Sequence, residues 1–210
     1  MFKNKKTILA ALLFIASLKA FCGVVDHDRM YKAYLSNDMS VWKTELQKYT
    51  ASTDLTITDK LEISNYLYGY IATLLTDADK NKQEIIGWIE LWEKYLEEIE
   101  KATGKNAYVH VYRSSINAYK SKVKAGGMMV WGPRSLTELK RALNIDPNNP
   151  LANGLKGNML FYMPGFVGGD KEESIKWFEK ALAGVAASTD KTFRWNRCAI
   201  TLCLAKKKKK

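Results

Sequence analysis

Beyond about residue 27, apolar residues recur every three or four positions, and short polar or glycine-rich breaks interrupt them. That period is the mark of amphipathic helices. It predicts a short helix from Asp28 to Leu35, with Tyr31 and Leu35 on one side, and a second from Val41 to Tyr49 carrying Trp42, Leu46 and Tyr49. The polar stretch Thr50 to Thr58 reads as a loop. Asp59 and Glu62 then read as a capping box for a helix running to about Leu75. Asn81 and Glu84 open a long helix to about Thr103, with Ile85, Trp88, Ile89, Trp92, Tyr95, Leu96 and Ile99 inward and Gly104 as its stop. Ala107 to Val123 follows, with Tyr108, Tyr112, Ile116, Tyr119 and Val123 on one face. Gly126-Gly127 and Gly132-Pro133 bound a predicted loop, after which Ser135 and Glu138 cap a helix to Asn144. Thr192 to Ala205 forms the last helix, with Trp195, Cys198, Ala199 and Leu202 at helical spacing. No stretch alternates as a strand would.

Arg141 to Leu182 is the segment that organises this pattern. Asp146-Pro147 ends one helix, because proline cannot continue the backbone ladder. Leu151, Leu155, Met159 and Tyr162 mark the next, broken by Pro164 and Gly168-Gly169. Asp170 and Glu173 form a capping box, and Ile175, Phe178 and Leu182 give the helix behind them its apolar face. This unit resembles the tetratricopeptide repeat, a helix–turn–helix of about 34 residues. Gly157 stands at the small position of the first helix (helix A). In helix B, Ser174, Phe178 and Ala181 stand at the small, aromatic and late-alanine positions, and Pro147 closes the preceding unit. The unit departs from the family in holding Asn153 at the aromatic position of helix A. Ala142 and Ala181 are also 39 residues apart, which adds about five residues in the turn from Met163 to Gly169. The long turn ending Gly-Gly-Asp is similar, more loosely, to the exported T-components of TRAP transporters, which are helical-repeat proteins. The expected fold is therefore all-α: a short right-handed solenoid of about three helix pairs over residues 23–205, with a C-terminal capping helix.

Charge changes this picture only at the ends. The 210 residues carry a formal charge of +11, but Lys3, Lys5, Lys6, Lys19 and the tail Lys206 to Lys210 account for nine of the 33 basic residues. The remaining 24 face 22 acids, about +2 for the body. A nucleic-acid binder gathers its cations on one face of the fold, so that class is not expected. The lysine-rich start and the 12-residue apolar run Thr7 to Leu18 read as an export signal over residues 1–22, too short for a comfortable membrane span. The chain is expected to be exported, to the periplasm or beyond. Membrane contact is expected only through that signal or through lipid attachment at Cys22. Cys198 and Cys203 lie five apart on one helix, where a bridge would strain the geometry.

The search for chemistry is brief. His27 and His110 have no nucleophile beside them in sequence, and Gly165, Gly168 and Gly169 lack the ending of a phosphate loop. The acids Glu90, Glu93, Glu97, Glu98 and Glu100 read as a solvated face. No enzyme, metal or cofactor is expected. Aromatic content points to binding instead. In tetratricopeptide arrays the helix-A faces line a concave groove, and Tyr66, Tyr70, Tyr112, Tyr119, Asn158 and Tyr162 are the candidates here. Tyr70, Tyr119 and Asn158 would form a ladder across the groove if Gly69, Ala118 and Gly157 share one position. The expected function is a non-enzymatic scaffold for a protein or peptide partner in the bacterial cell envelope. The alternative is an accessory solute-binding component, as the T-component resemblance implies. An open groove of helix-A tyrosines favours the first reading and a closed apolar pocket favours the second. Mass spectrometry of the native protein should find a first residue between Phe21 and Asp26. An intact Met1 would refute export, and a diacylglyceryl adduct on Cys22 would establish lipid attachment.

Overall fold

The computed structural model describes residues 24–208; the expected signal, Cys22 and the last two lysines lie outside the described residues. Among the described residues there are nine helices and no strand. Helices α1 (His27–Leu35) and α2 (Met39–Thr50) start where Asp26 and Asp38 accept the backbone N–H groups of Arg29 and Val41. Helix α3 (Ile57–Leu74) also has a capping box, but its members are Thr56 and Asp59. Asp59 and Glu62 do not form it, because the Asp59 carboxylate turns back to the N–H of Thr56 (2.9 Å) and of Val24 (3.1 Å).

Two more of the expected caps give way to tertiary contacts. Helix α4 (Lys82–Thr103) follows Asn81, whose side chain donates to the Leu74 carbonyl rather than accepting from the helix. Glu84 instead takes Lys43 at 2.8 Å and the Tyr70 hydroxyl at 2.9 Å. Helix α5 (Ala107–Val123) is capped by Asn106. Helix α6 (Gly127–Ile145) is continuous through the residues expected to form a loop, with Pro133 inside it. Ser135 therefore lies within the helix and is buried. It exchanges two 2.8 Å hydrogen bonds with Ser114 of α5, each hydroxyl donating to the other's carbonyl. That pair locks α6 onto α5 across the gap that proline leaves in the ladder.

Helix α7 (Pro150–Tyr162) has proline in its first turn, where no N–H is needed. Helix α8 (Lys171–Ala187) begins at Asp170, which accepts the Glu173 N–H at 2.9 Å, but the Glu173 carboxylate takes the Trp177 indole N–H at 3.0 Å instead of closing the expected box. A short 3-10 turn, Lys191–Phe193, leads into α9 (Arg194–Lys208), which runs three residues beyond the expected end at Ala205.

Consecutive helices pack as hairpins, α3 on α4, α5 on α6 and α7 on α8, while α3, α5 and α7 also touch in succession. The last helix does more than cap this stack. It packs on α8 and crosses back to α1, and the turn before it touches α1 and α3. The end of the chain thus returns to its beginning. Phe178 and Ala181 of α8 are buried, as the repeat positions predict. A Cβ added at Gly157 would lie 2.9 Å from the Phe178 ring, so the missing side chain is what lets α7 and α8 approach. Phe178→Ala should cost about 3–5 kcal/mol in chemical denaturation, the range for a large aromatic lost from a core. Parent-like unfolding would show that this contact is not what holds the hairpin.

Candidate functional site

The end of α3 and the 3-10 turn behind it (Leu75–Asp77) present small side chains, Gly69, Ala72, Thr73 and Thr76, at helical spacing beside Tyr68. Opposite it α7 presents Gly154 and Asn158, and α9 presents Ala199 and Cys203. Where three helices meet through small residues, their backbones are held apart by the larger groups around them and a space remains. Here that space is a cavity of about 300 Å³, walled by Tyr34 of α1, Tyr68 of α3, Phe178 of α8, and Trp195 and Ile200 of α9. It falls at the lower end of small-molecule sites, about 300–1,000 Å³. Tyr34 and Thr73 also line a shallower outer basin with Tyr31, Met39, Arg194, Arg197 and Cys198. The two spaces adjoin, one apolar and one carrying two cations.

The walls are set by aromatic packing. The Trp195 ring lies edge-on to Trp42, with centroids 5.3 Å apart, and contacts Tyr34 and Tyr68 at 5.6 and 5.9 Å. It sits on Gly69, where a Cβ would come within 2.8 Å of Trp195 and 2.7 Å of Trp42. Beside it Asn65, fully buried, donates to the Thr192 carbonyl and to Asn196 Oδ1, both at 2.8 Å. Tyr68 lies stacked 6.3 Å from Tyr119, whose hydroxyl donates to the Tyr68 carbonyl. Burial, with the nearby Cys203 charge adding to it, pushes the Tyr68 phenol up to about 12. Burial, then Cys198 and Cys203, raises Tyr34. The indole N–H groups of Trp195 and Trp92 find no acceptor among the described residues.

The tyrosines expected in an open groove are not brought together in one. Tyr66 is buried against Trp42 and accepts or donates a 2.9 Å hydrogen bond with His27 Nδ1. Tyr70 is buried against Trp88 and bonded to Glu84, and Tyr112 is buried against Trp92. Burial opposes the charged form of Glu84, but Lys43, Tyr70 and Trp88 together hold its carboxyl below the usual range. Tyr119 packs on Tyr68 and Trp92. The ladder of Tyr70, Tyr119 and Asn158 therefore does not form. Gly69 faces α2 and α9 while Gly157 faces α8, so the two glycines do not play equivalent parts. Of the six candidates only Asn158 lines the cavity. Tyr162 is 76% exposed at the end of α7, near Phe166, which is 90% exposed. Sequence reasoning missed Tyr34, Tyr68, Trp195 and the small face of α3. The spacing of Gly69, Ala72, Thr73 and Thr76 was a readable signal of close approach.

His110 lies elsewhere, on α5, bonded to Glu138 at 2.7 Å. Glu138 also holds Arg141, Arg113 holds Glu100, and Lys120 holds Glu93. These charges compensate in pairs and tie α4, α5 and α6 together. Among the described residues no group of three or more His, Cys, Asp or Glu side chains is placed to hold a metal ion, and no helix is long and apolar enough to cross a membrane.

No protein-family model and no curated protein matches this sequence. Among solved structures the chain is similar to the HusA haemophore from Porphyromonas gingivalis, with a TM-score of 0.61 and 17% identity over 99% of this chain and 96% of that one. The likeness is one of fold.

Gly69 provides a direct test of how α9 is seated. Gly69→Ala should destabilise the protein by about 1–3 kcal/mol, as overpacking does, and should make Trp195 accessible to a fluorescence quencher. Gly87→Ala, where nothing lies within 4 Å, should be neutral or slightly stabilising. Equal effects at the two glycines would mean that Gly69 acts through helix propensity rather than through Trp195.

Proposed function

We propose that this protein is a non-enzymatic, exported binding protein for a flat, largely apolar small molecule with an anionic edge, of the tetrapyrrole class. The observation that carries this reading is the aromatic cavity between α3, α7 and α9, opening beside Arg194 and Arg197. Rings supply broad apolar contact at low entropic cost, and a guanidinium at the mouth suits a carboxylate. Arg194 already holds Asp28 and lies over the Tyr31 ring, 4.2 Å from its centroid, whereas Arg197 is exposed. The ligand class also draws on the structural neighbour, which is a haemophore. Within this proposal the hairpins α3–α4, α5–α6 and α7–α8 are tetratricopeptide-like units whose concave side is taken up by the chain's own last helix. The protein then stands nearer to the solute-binding alternative than to a peptide-binding scaffold.

A second reading, docking of a protein partner in the cell envelope, has its own support. Met128 and Met129 are exposed in the first turn of α6 and Phe166 in the turn that follows α7, and Tyr162 stands at the end of α7. Such a rim fits a partner that receives or delivers the ligand. Loss of co-purification from envelope extracts on Met129→Glu with Phe166→Glu is the expected result. Retention would remove the rim from consideration.

The ligand proposal is tested by titrating ferric protoporphyrin IX and metal-free protoporphyrin IX, following absorbance and tryptophan fluorescence. Saturable binding at one molecule per chain is expected. Ala72 is exposed at the cavity wall, so Ala72→Phe fills the entrance with little effect on the core. It should weaken binding at least about tenfold, equivalent to about 1.4 kcal/mol. Unchanged affinity in Ala72→Phe would place the ligand elsewhere.

A further inference from the structure

Apolar side chains scattered singly over a surface are ordinary, but a group of them gathered in one place marks a docking site. Among the described residues nine large apolar side chains are exposed, and six of them lie in two turns. Met128, Met129 and Val130 open α6, and Tyr162, Phe166 and Val167 lie between α7 and α8. Only residues 146–149 join α6 to α7, so successive helices run antiparallel. Both turns therefore stand at the same end of the stacked hairpins α5–α6 and α7–α8. The first tip is built to project. Gly126 and Gly127 reverse the chain with φ of 85° and 49°, and a Cβ at Gly126 would lie 2.4 Å from Val130 Cγ2. Met129 is left 92% exposed. The charge around this tip has one sign. No acid stands between Glu100 and Glu138 in sequence, while Lys120, Lys122, Lys124 and Arg134 flank the tip. Lys120 and Lys124 pair with Glu93 and Glu90 of α4. Lys122 and Arg134 are exposed and hold no carboxylate among the described residues. Arg134 and Lys120 lie over the half-buried Trp131 ring, 4.8 and 5.0 Å from its centroid. The second tip is less basic, with Lys171 over the Phe161 ring at 5.9 Å and Glu172 and Glu173 next in sequence.

We propose that this end of the molecule docks reversibly on the surface of an anionic phospholipid bilayer. Met129 and Phe166 enter the boundary between headgroups and acyl chains. Trp131 and Tyr162 lie at headgroup level, where rings with a polar edge are favoured, and Lys122 and Arg134 meet the lipid phosphates. Charge complementarity selects this occupant. The centre of a protein interface is depleted of lysine and needs a broad matching patch. Here two narrow tips project, and the more basic one carries cations that the fold leaves unpaired. Among the described residues no helix is long and apolar enough to cross a membrane, so the contact is peripheral. The proposal is independent of the ligand reading.

The experiment is sedimentation with protein-free vesicles, which separates lipid from a protein partner. It uses the processed protein, free of residues 1–22, whose apolar run would bind lipid by itself. One set of vesicles mixes phosphatidylglycerol with phosphatidylcholine, and the other is phosphatidylcholine alone. Binding to the anionic vesicles is expected, at least about tenfold tighter than to the neutral ones. Met129→Glu with Phe166→Glu should weaken anionic binding at least about tenfold. Lys122→Gln with Arg134→Gln should remove the preference for anionic vesicles. All four side chains are exposed, so parent-like melting is expected and checks the fold. Ile145→Glu places the same new charge at the far end of α6, about 25 Å from Met128, and should bind like the parent. Deleting residues 206–210 tests the lysine tail as a rival anchor and should leave binding in place. The proposal is overturned if the parent ignores both kinds of vesicle, which assigns the rim to a protein partner. It is overturned as well if the Met129→Glu, Phe166→Glu variant binds like the parent, or if Ile145→Glu is equally impaired. Loss of binding on deleting the tail overturns it too, and makes the tail the anchor.

Discussion

The seating of the C-terminal segment on α3 is the contact on which the rest depends. Asn65 is fully buried, and its amide is used on both sides: its N–H groups reach Thr192 and Asn196, and its oxygen accepts from the Tyr112 hydroxyl at 3.4 Å. A buried amide left without partners costs about 1–3 kcal/mol. The segment is therefore held in one position rather than sliding on an apolar face. Trp195 follows from that placement, and Gly69 is the seat that admits its ring. Four helices meet at this point, α1 through Tyr34, α2 through Trp42, α3 through Tyr68 and α9 through Trp195 itself.

The cavity is a by-product of the same contact. Large rings fix how far apart α3 and α9 stand, and the small face of α3 leaves the interval unfilled. The N-terminal residues add the remaining brace. Val24 donates to Asp59, Asp26 to the Tyr49 hydroxyl, and Asp28 holds both Arg194 and Lys191. Of these braces, the exposed ion pairs at Asp28 contribute little alone. Their value lies in where they act, at the mouth of the outer basin.

Helices were legible wherever the apolar stripe was long. Ile85, Ile89, Trp92, Leu96 and Ile99 are all buried on α4, as their spacing requires. Glycine and proline misled at residues 126–133, because the Ser114–Ser135 pairing overrides the local turn signal. Asp59, Asn81 and Glu84 carried the right residue types for caps, but Asp59 caps with Thr56 rather than Glu62, Asn81 turns back to the Leu74 carbonyl, and Lys43 and Tyr70 claim Glu84. The site was less legible for a related reason. Tyr66, Tyr70 and Tyr112 lie on the expected helices, yet rings of α2 and α4 cover them. Nothing local in a sequence announces that residues 192–196 will return to Asn65. Asn158, next to Gly157 on α7, lines the cavity rather than an open groove.

The closure of end upon beginning has a consequence for how the chain acquires its structure. The Asn65–Thr192 and Asp28–Arg194 contacts span 127 and 166 residues, and such distant pairings slow folding. Until residues 192–196 dock, the Asn65 amide has no carbonyl to meet and the Gly69 seat is open to water. The wall that Trp195 gives the cavity is therefore among the last parts of the molecule to close, after the hairpins α3–α4, α5–α6 and α7–α8, whose contacts are between neighbours in sequence.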